Sequence, residues 1–206
     1  MKNHKIFWTF IAIAAVSTVI TACGSSPRNV PDEALLTVLE VSCSDDINGG
    51  GSEGSQAGSI IMPDGESAFY FENGKNVSNG IVSWYMPTFS IQPGNFNGYT
   101  RFSFEVAADY AEIIADVYEF GFRVQSTDGS FYDFVRTADW SAYKRQGLIT
   151  PAIFQTIELN ISPGSQTGWG GDSNPLANTS AVWFLLICSD EDVPGRIYFR
   201  NLKFLK

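Results

Sequence analysis

Aromatic side chains in polar, glycine-rich segments are the first candidates for chemistry in this sequence. Trp169 lies in residues 167–172, TGWGGD, which offer an indole ring little apolar company. Trp140 follows Asp139 and precedes Tyr143 by three residues. A flat aromatic face can stack on the apolar side of a sugar ring, and planar polar groups beside it can hydrogen-bond the sugar hydroxyls. The alternative is that the rings pack over the edge of the fold. The candidate ligand residues of these segments are Trp169, Trp140, Tyr143 and Asp172.

A second candidate site comes from polar residues that alternate with apolar ones. In residues 101–107 and 118–125, phenylalanine and valine alternate with polar side chains, which predicts strands with one buried face. With a third strand at residues 157–161, the polar faces could form one binding floor, or a solvated face with cross-strand ion pairs. The set comprises Glu105, Glu119, Arg123, Gln125, Glu158 and Asn160, of which Glu105, Arg123 and Gln125 are candidate ligand residues.

Composition restricts the catalytic chemistry that the chain could perform. Its one histidine, His4, lies in an N-terminal segment that we expect to be removed. Histidine-dependent nucleophilic catalysis and imidazole metal sites are therefore excluded from the remaining part. Paired carboxylates could still cleave glycosidic bonds, but Glu112, Asp116 and Glu119 depart from the spacing Glu-x-Asp-x-x-Glu. We expect no catalytic residues, and a glycan-active enzyme is the less favoured alternative.

An oxygen-rich loop at residues 44–58 is the one candidate for a metal. Asp46 and Asn48 begin like a calcium-binding loop. Gly50 and Ala57, however, stand at positions where such a loop has an oxygen ligand and a bidentate glutamate. A solvated, turn-rich loop is the preferred interpretation. We therefore predict no metal and no cofactor, with a structural calcium ion as the alternative.

The N-terminal residues have the pattern of an export signal. Lys2 and Lys5 precede an apolar run at residues 6–20, which is too short and wrongly flanked for a spanning helix. The following Ile-Thr-Ala-Cys ends at Cys23 and resembles the lipobox of bacterial lipoproteins. The resemblance implies that residues 1–22 are a removed signal peptide and that Cys23 is lipidated. Residues 23–33 then form a tether to a lipid bilayer.

Charge and the residue after Cys23 bear on location and partners. Gly24 stands where an aspartate would retain such a lipoprotein at the inner membrane, which favours the outer membrane or cell surface, outside the cytoplasm. The chain has 13 basic and 22 acidic residues, and because the leader holds two lysines and no acid, the mature net charge is −11. Nucleic acid as a partner is excluded, since its binding requires a basic surface.

Residues 34–206 read as a single all-β domain. Short β-rich runs alternate with clusters of Gly, Asn, Asp, Ser and Pro, which is typical of a β-sandwich. The segments PDG at residues 63–65 and TDGS at 127–130 predict tight turns. Trp183 lies in the most apolar run and is expected in the core. Residues 87–97 are predicted to be a connection, and short helices are predicted at 109–116 and 138–146.

The chain ends with GRIYFRNLKF at residues 195–204. This ending and the order of the preceding strands resemble the β-jelly-roll carbohydrate-binding modules of the galactose-binding-like class. The resemblance implies a jelly-roll sandwich that binds a glycan without catalysis. The alternative is an envelope lipoprotein that contacts another protein. Arg200 stands where that class often has an aspartate supporting a structural calcium ion.

Two cysteines remain if Cys23 is lipidated, namely Cys43 and Cys188. An exported compartment permits oxidation, and in jelly rolls the first strand commonly lies near the closing strands. We therefore predict a disulfide between Cys43 and Cys188. The alternative is two separate buried thiols.

Overall fold

Two antiparallel β-sheets packed face to face make up the fold, a jelly-roll β-sandwich, which confirms the predicted all-β class. The computed structural model describes residues 31–43, 46–47, 50–53, 56–72, 75–76, 83–109, 117–137, 153–188 and 195–206. These belong to one unit, Pro31–Lys206. The predicted helices at 109–116 and 138–146 lie outside the described residues, apart from Asp109.

Most of the described residues lie in β-strands. In chain order they are β1 (Glu33–Leu35), β2 (Val38–Cys43), β3 (Asp46–Ile47), β4 (Gly50–Glu53), β5 (Gln56–Ile61), β6 (Ser67–Glu72), β7 (Lys75–Asn76), β8 (Ser83–Tyr85), β9 (Pro87–Gly94), β10 (Arg101–Ala108), β11 (Val117–Ser126), β12 (Phe131–Thr137), β13 (Gln155–Asn160), β14 (Gly168–Gly170), β15 (Thr179–Cys188) and β16 (Arg196–Leu205). A short 3₁₀ turn, Pro175–Ala177, precedes β15.

Strand order defines two sheets that we call A and B. Sheet A runs β13-β10-β16-β6-β5, and β1 pairs with the end of β16. Sheet B runs β14-β12-β11-β15-β9-β2, and β8 pairs with β15 beside β9. The short strands β3, β4 and β7 form a small third sheet.

Phenylalanine rings from both sheets fill the space between them. Phe102 and Phe104 alternate with polar residues on β10 and point inward from sheet A, where both are buried. Their ring centroids lie 4.6 Å from Phe122 and 4.7 Å from Phe184 of sheet B, respectively. Burying each such ring contributes roughly 1.5–3 kcal/mol. The alternation seen in the sequence therefore decides which face of each strand enters the core.

Two predicted turns form where the sequence places them. Gly65 and Gly129 have φ of 87° and 86°, a conformation that glycine adopts without steric cost. In the β11–β12 hairpin the Gly129 amide donates to the Ser126 carbonyl at 3.1 Å. This turn fixes the register of β11 against β12.

Residues 87–94, predicted as a connection, instead form strand β9. Phe89 and Ile91 are buried and alternate with Thr88 and Ser90, which is a strand pattern. Pro87 begins the strand, a position where the missing amide is tolerated. The prediction of a connection was wrong because proline and glycine at the ends of this segment obscured a short alternation.

Candidate functional site

An arginine on the outward face of sheet B is held by an acid and two aromatic rings. Arg123 donates from Nε to Asp133 Oδ1 at 2.6 Å and from Nη2 to Asp133 Oδ2 at 2.9 Å. Its Cζ lies 3.6 Å from the Phe131 ring centroid and 4.2 Å from that of Trp183. We call these four residues the Arg123 cluster. The two-point ion pair and the stacking fix the plane of the guanidinium.

Strand register assembles this cluster from three neighbouring strands. Arg123 of β11 lies directly opposite Trp183 of β15 on one side and Asp133 of β12 on the other. Directly opposed residues of antiparallel strands place their side chains on the same face. Gly170 of β14 faces Phe131, and a Cβ at that position would collide with the Phe131 ring. Glycine at 170 therefore lets this ring lie flat.

Trp183 lies on the outward face and was wrongly expected in the core. Its neighbours Val182 and Phe184 are fully buried between the sheets, so Trp183 points to the other side and is only partly buried. A shallow pocket adjoins its ring, with walls that include Gly121 and Leu185. Sequence reasoning missed the outward position of Trp183 because β15 is apolar on both faces, so alternation along the strand does not distinguish its outward side.

Several polar atoms beside the cluster lack partners among the described residues. Gln125 of β11 and Ala181 of β15 form the next cross-strand pair, and Gln125 is partly buried. The side-chain amide of Gln125, Nη1 of Arg123 and Nε1 of Trp183 make no hydrogen bond within the described part of the chain. Planar donors and an acceptor thus lie next to an indole ring, a combination suited to a hydroxylated ring ligand.

Trp169 projects from the edge of sheet B on the opposite side from Arg123. It pairs with Tyr132, which in turn faces the buried Val124, so both aromatic side chains lie on the inner side of the sheet. The indole is nevertheless 75% exposed. The structure therefore excludes the alternative that this ring is clamped over the edge of the sandwich.

The segment that carries Trp169 is fixed at both ends. The Thr167 amide donates to the Asp133 carbonyl at 2.7 Å, and the Ser173 amide donates to Ser130 Oγ at 3.3 Å. Gly171, with a φ of 81°, lies so close to Ser130 that a side chain would not fit. Asp172, also in this segment, is exposed. Trp169 is thus displayed from an ordered segment.

The remaining predicted ligand residues do not join the Arg123 cluster. Glu105 lies on β10 of sheet A, so the first of the two alternatives, a single binding floor with Arg123 and Gln125, does not form: its members belong to outward faces of different sheets. Alternation predicts which residues face outward, but both sheets have an outward face. Trp140 and Tyr143 lie outside the described residues.

Glu105 takes part in an ion-pair network on sheet A. Arg200 donates from Nε to Glu105 Oε2 and from Nη1 to Asp64 Oδ2, each at 2.6 Å, and Asn201 Nδ2 donates to Glu105 Oε1 at 2.9 Å. Burial, the largest single influence, raises the pKa of Glu105, but the Arg200 and Asn201 hydrogen bonds together outweigh it and lower the pKa overall. Glu105 is therefore ionised near neutral pH.

The described residues contain no cluster of metal ligands and no membrane-spanning helix. No group of three or more His, Cys, Asp or Glu side chains there could hold a metal ion. Much of the oxygen-rich loop lies outside these residues, so the calcium alternative for it stays untested. No helix in the described ranges is long and apolar enough to cross a membrane, and Cys23 lies outside them.

Cys43 and Cys188 lie in the same sheet on strands that flank β8 and β9. Cys43 of β2 is opposite Pro87, and Cys188 of β15 is opposite Ser83. Strands separated by one intervening strand lie about 9–10 Å apart, wider than the ~7 Å Cα separation that a disulfide spans. A bridge would require these strand ends to approach. The Cys188 side chain is outside the described residues, so the disulfide stays a prediction.

Comparison with known proteins finds similarity in the fold. No protein-family model and no curated protein matches the chain. Among solved structures, a family 11 carbohydrate-binding module of a cellulosomal cellulase of Clostridium thermocellum is 13% identical, with 84% of this chain and 94% of that chain covered and a TM-score of 0.45.

Two further solved structures are similar to a comparable extent. A family 30 carbohydrate-binding module is 11% identical, with 84% of this chain and 98% of that chain covered and a TM-score of 0.48. A module described as specific for non-crystalline cellulose is 12% identical, with 72% and 80% covered and a TM-score of 0.44. Similarity at identities this low concerns the fold alone.

Proposed function

We propose that this chain is an exported lipoprotein, anchored through Cys23 to the outer membrane or cell surface, whose sandwich binds a glycan without catalysis. The observation that carries the binding proposal is Trp183 on the outward face of a central strand, beside a guanidinium fixed by Asp133. An aromatic ring in that position does not contribute the stabilisation that burial in the core would provide. Its use as a stacking surface for a sugar explains the placement.

The chemistry around Trp183 suits sugar hydroxyls. Nη1 of Arg123 supplies donors, and the Gln125 amide supplies both donors and an acceptor. Because Asp133 neutralises the guanidinium, the face does not select an anion. Neutral sugars fit this arrangement better than acidic ones.

The carboxylates of the described residues favour binding over hydrolysis. A glycosidase needs one acid whose pKa is raised so that it can donate a proton near neutral pH. Glu105 instead has a lowered pKa, and Asp133 and Glu158 each form an ion pair with an arginine. These groups are suited to accepting hydrogen bonds.

A glycan array probed with the full chain in detergent tests the proposal, with a β-1,3-1,4-linked tetrasaccharide among the probes. Trp183→Ala should weaken affinity for the bound glycan by about 1–3 kcal/mol, by analogy with base stacking on aromatic residues. The same loss in Trp169→Ala would extend the site around the sheet edge. Ile61→Ala, an exposed apolar residue of sheet A, is the control. Unchanged affinity in Trp183→Ala would refute the placement of the site.

A further inference from the structure

A groove of about 370 Å³ lies on the outward face of sheet A. Strands β13, β10, β16 and β1 form its floor, and it shares no residue with the Arg123 cluster. Its volume is within the range of small-ligand pockets, at the lower end. Its lining includes Glu33, Leu35, Ser103, Glu105, Glu158, Lys203 and Leu205. We call it the Ser103 groove.

The floor of this groove holds a buried hydroxyl that lacks a partner. Ser103 is 2% exposed, and its side chain makes no hydrogen bond within the described part of the chain. Buried polar groups are nearly always hydrogen-bonded, because leaving one unpaired costs free energy. Longer side chains on the neighbouring strands, Glu158 and Lys203, stand directly opposite Ser103 on either side. A ligand that reaches the floor between them would complete the hydrogen bonding of Ser103.

The charged side chains in the walls of the groove are held in ion pairs. Lys203 Nζ lies 2.9 Å from Glu33 Oε2, and Arg101 Nη1 lies 2.7 Å from Glu158 Oε2. Glu105 is paired with Arg200, which also binds Asp64. Each of the three lining carboxylates therefore contacts a cation, and the groove has no unpaired cation that would select an anionic ligand. Oxygen acceptors and an ammonium donor remain within reach of ligand hydroxyls.

Apolar surface completes the lining. Leu35 is 69% exposed, and Leu205, partly buried, lies on the adjacent strand. Two leucines beside hydroxyl-binding groups match the amphipathic faces of a sugar ring. We propose that the Ser103 groove is a second ligand site, which takes a short neutral sugar with one hydroxyl hydrogen-bonded to Ser103 Oγ. With glycan bound on sheet B, the protein would hold two glycans on opposite faces.

Methyl NMR of the full chain in detergent, with ¹³C-labelled leucine, tests this site directly. The probes are glucose, galactose, N-acetylglucosamine and their β-linked disaccharides, titrated to high millimolar concentration. Binding in the groove should shift the Leu35 and Leu205 methyl signals. Leu39, which is 61% exposed on β2 of sheet B, is the matched control and should not move. Equal shifts of Leu35 and Leu39, or no Leu35 shift with any probe, would overturn the proposal.

Ser103→Ala separates binding from folding. Affinity for the probe that shifts Leu35 should fall about tenfold, as expected for one hydrogen bond to a buried group. Tm should be unchanged or higher, because the variant loses no internal hydrogen bond. Ser59→Ala, an exposed serine of β5 in the same sheet, is the control. Undiminished affinity in Ser103→Ala would contradict the assignment.

The groove and the sheet B face are tested independently. Trp183→Ala should leave the Leu35 shift intact, since Trp183 and Leu35 belong to different sheets. If Trp183→Ala abolishes that shift while the variant remains folded, the ligand is bound on sheet B and the groove proposal is wrong. If the shift survives but no glycan binds sheet B, only the proposed function fails.

Discussion

Arg123→Ala should destabilise the fold more than the loss of an ordinary surface arginine. Arg123 makes two charge-assisted hydrogen bonds to Asp133, and the two side chains are only 22% and 16% exposed. A hydrogen bond to a charged group contributes about 1.5–3 kcal/mol, and each cation–π contact contributes ~0.5–1 kcal/mol. Because the contacts share one side chain and do not add fully, we expect the free energy of unfolding to fall by about 3 kcal/mol.

Urea unfolding of matched variants measures this difference. Arg101→Ala on sheet A is the control: Arg101 forms an ion pair with Glu158 at 2.7 Å and donates from Nε and Nη2 to the Lys206 carbonyl, but these contacts are solvent-exposed and both side chains of the pair are nearly half exposed. Exposed pairs contribute at most about 1 kcal/mol. A double-mutant cycle with Asp133→Asn should show coupling between the two groups. If Arg123→Ala costs no more than Arg101→Ala, the Arg123 cluster does not stabilise sheet B and the reasoning is refuted.

Arg123→Lys distinguishes the contribution of the positive charge from that of the guanidinium geometry. Lysine keeps the positive charge near Asp133 but offers neither the two-point hydrogen bonding nor the flat stacking surface. We expect the free energy of unfolding of Arg123→Lys to lie between those of the wild type and the alanine variant. A lysine variant as stable as the wild type would show that charge alone accounts for the cluster.

The remaining predictions concern the anchor, the cysteines and acid stability. Cys23→Ser should release the protein from the membrane fraction, and full retention would refute lipidation. Alkylation of the unfolded, unreduced chain should find no thiol at Cys43 or Cys188 if the disulfide forms, and two labelled thiols would end that proposal. The pKa of Glu105 is lowered from 4.5, so the unfolded state takes up the proton first and stability is lost as pH falls below about 4.5. Glu105→Gln should flatten that part of the urea-unfolding profile against pH, and an unchanged slope would contradict the network.

Alternation predicted the strands at residues 101–107, 118–125 and 157–161 because each of them has one buried face. Residues 101–107 form all but the last position of β10, and residues 118–125 form all but the first and last positions of β11. Alternation and turn formation depend on residues that are close together in the sequence, so both can be predicted from a single sequence. The pairing partner of each strand depends on residues far along the chain, so no local sequence pattern predicts the strand order.

Trp183 illustrates why the face of a central strand is hard to assign. Strand β15 has apolar residues on both sides, so alternation alone does not say which side is the core. The answer lies in the partners across the sheet: Phe184 opposes Phe122, a core residue, whereas Trp183 opposes Arg123. A tryptophan directly opposite an arginine is expected on the surface of the sheet. That pairing can be recognised only when the register of β11 against β15 is known.

Ser103 shows the opposite limitation. Its outward position on β10 was predictable, and an outward serine is ordinarily solvated. The structure buries it because Glu158 and Lys203 stand on the two adjacent strands and each extends beyond the serine. Burial of a small polar residue on an outward face thus depends on the lengths of its cross-strand neighbours. Where those neighbours are themselves fixed by ion pairs, as here by Arg101 and Glu33, the depression between them persists without a ligand, and the unpartnered hydroxyl at its floor is then a reason to look for one.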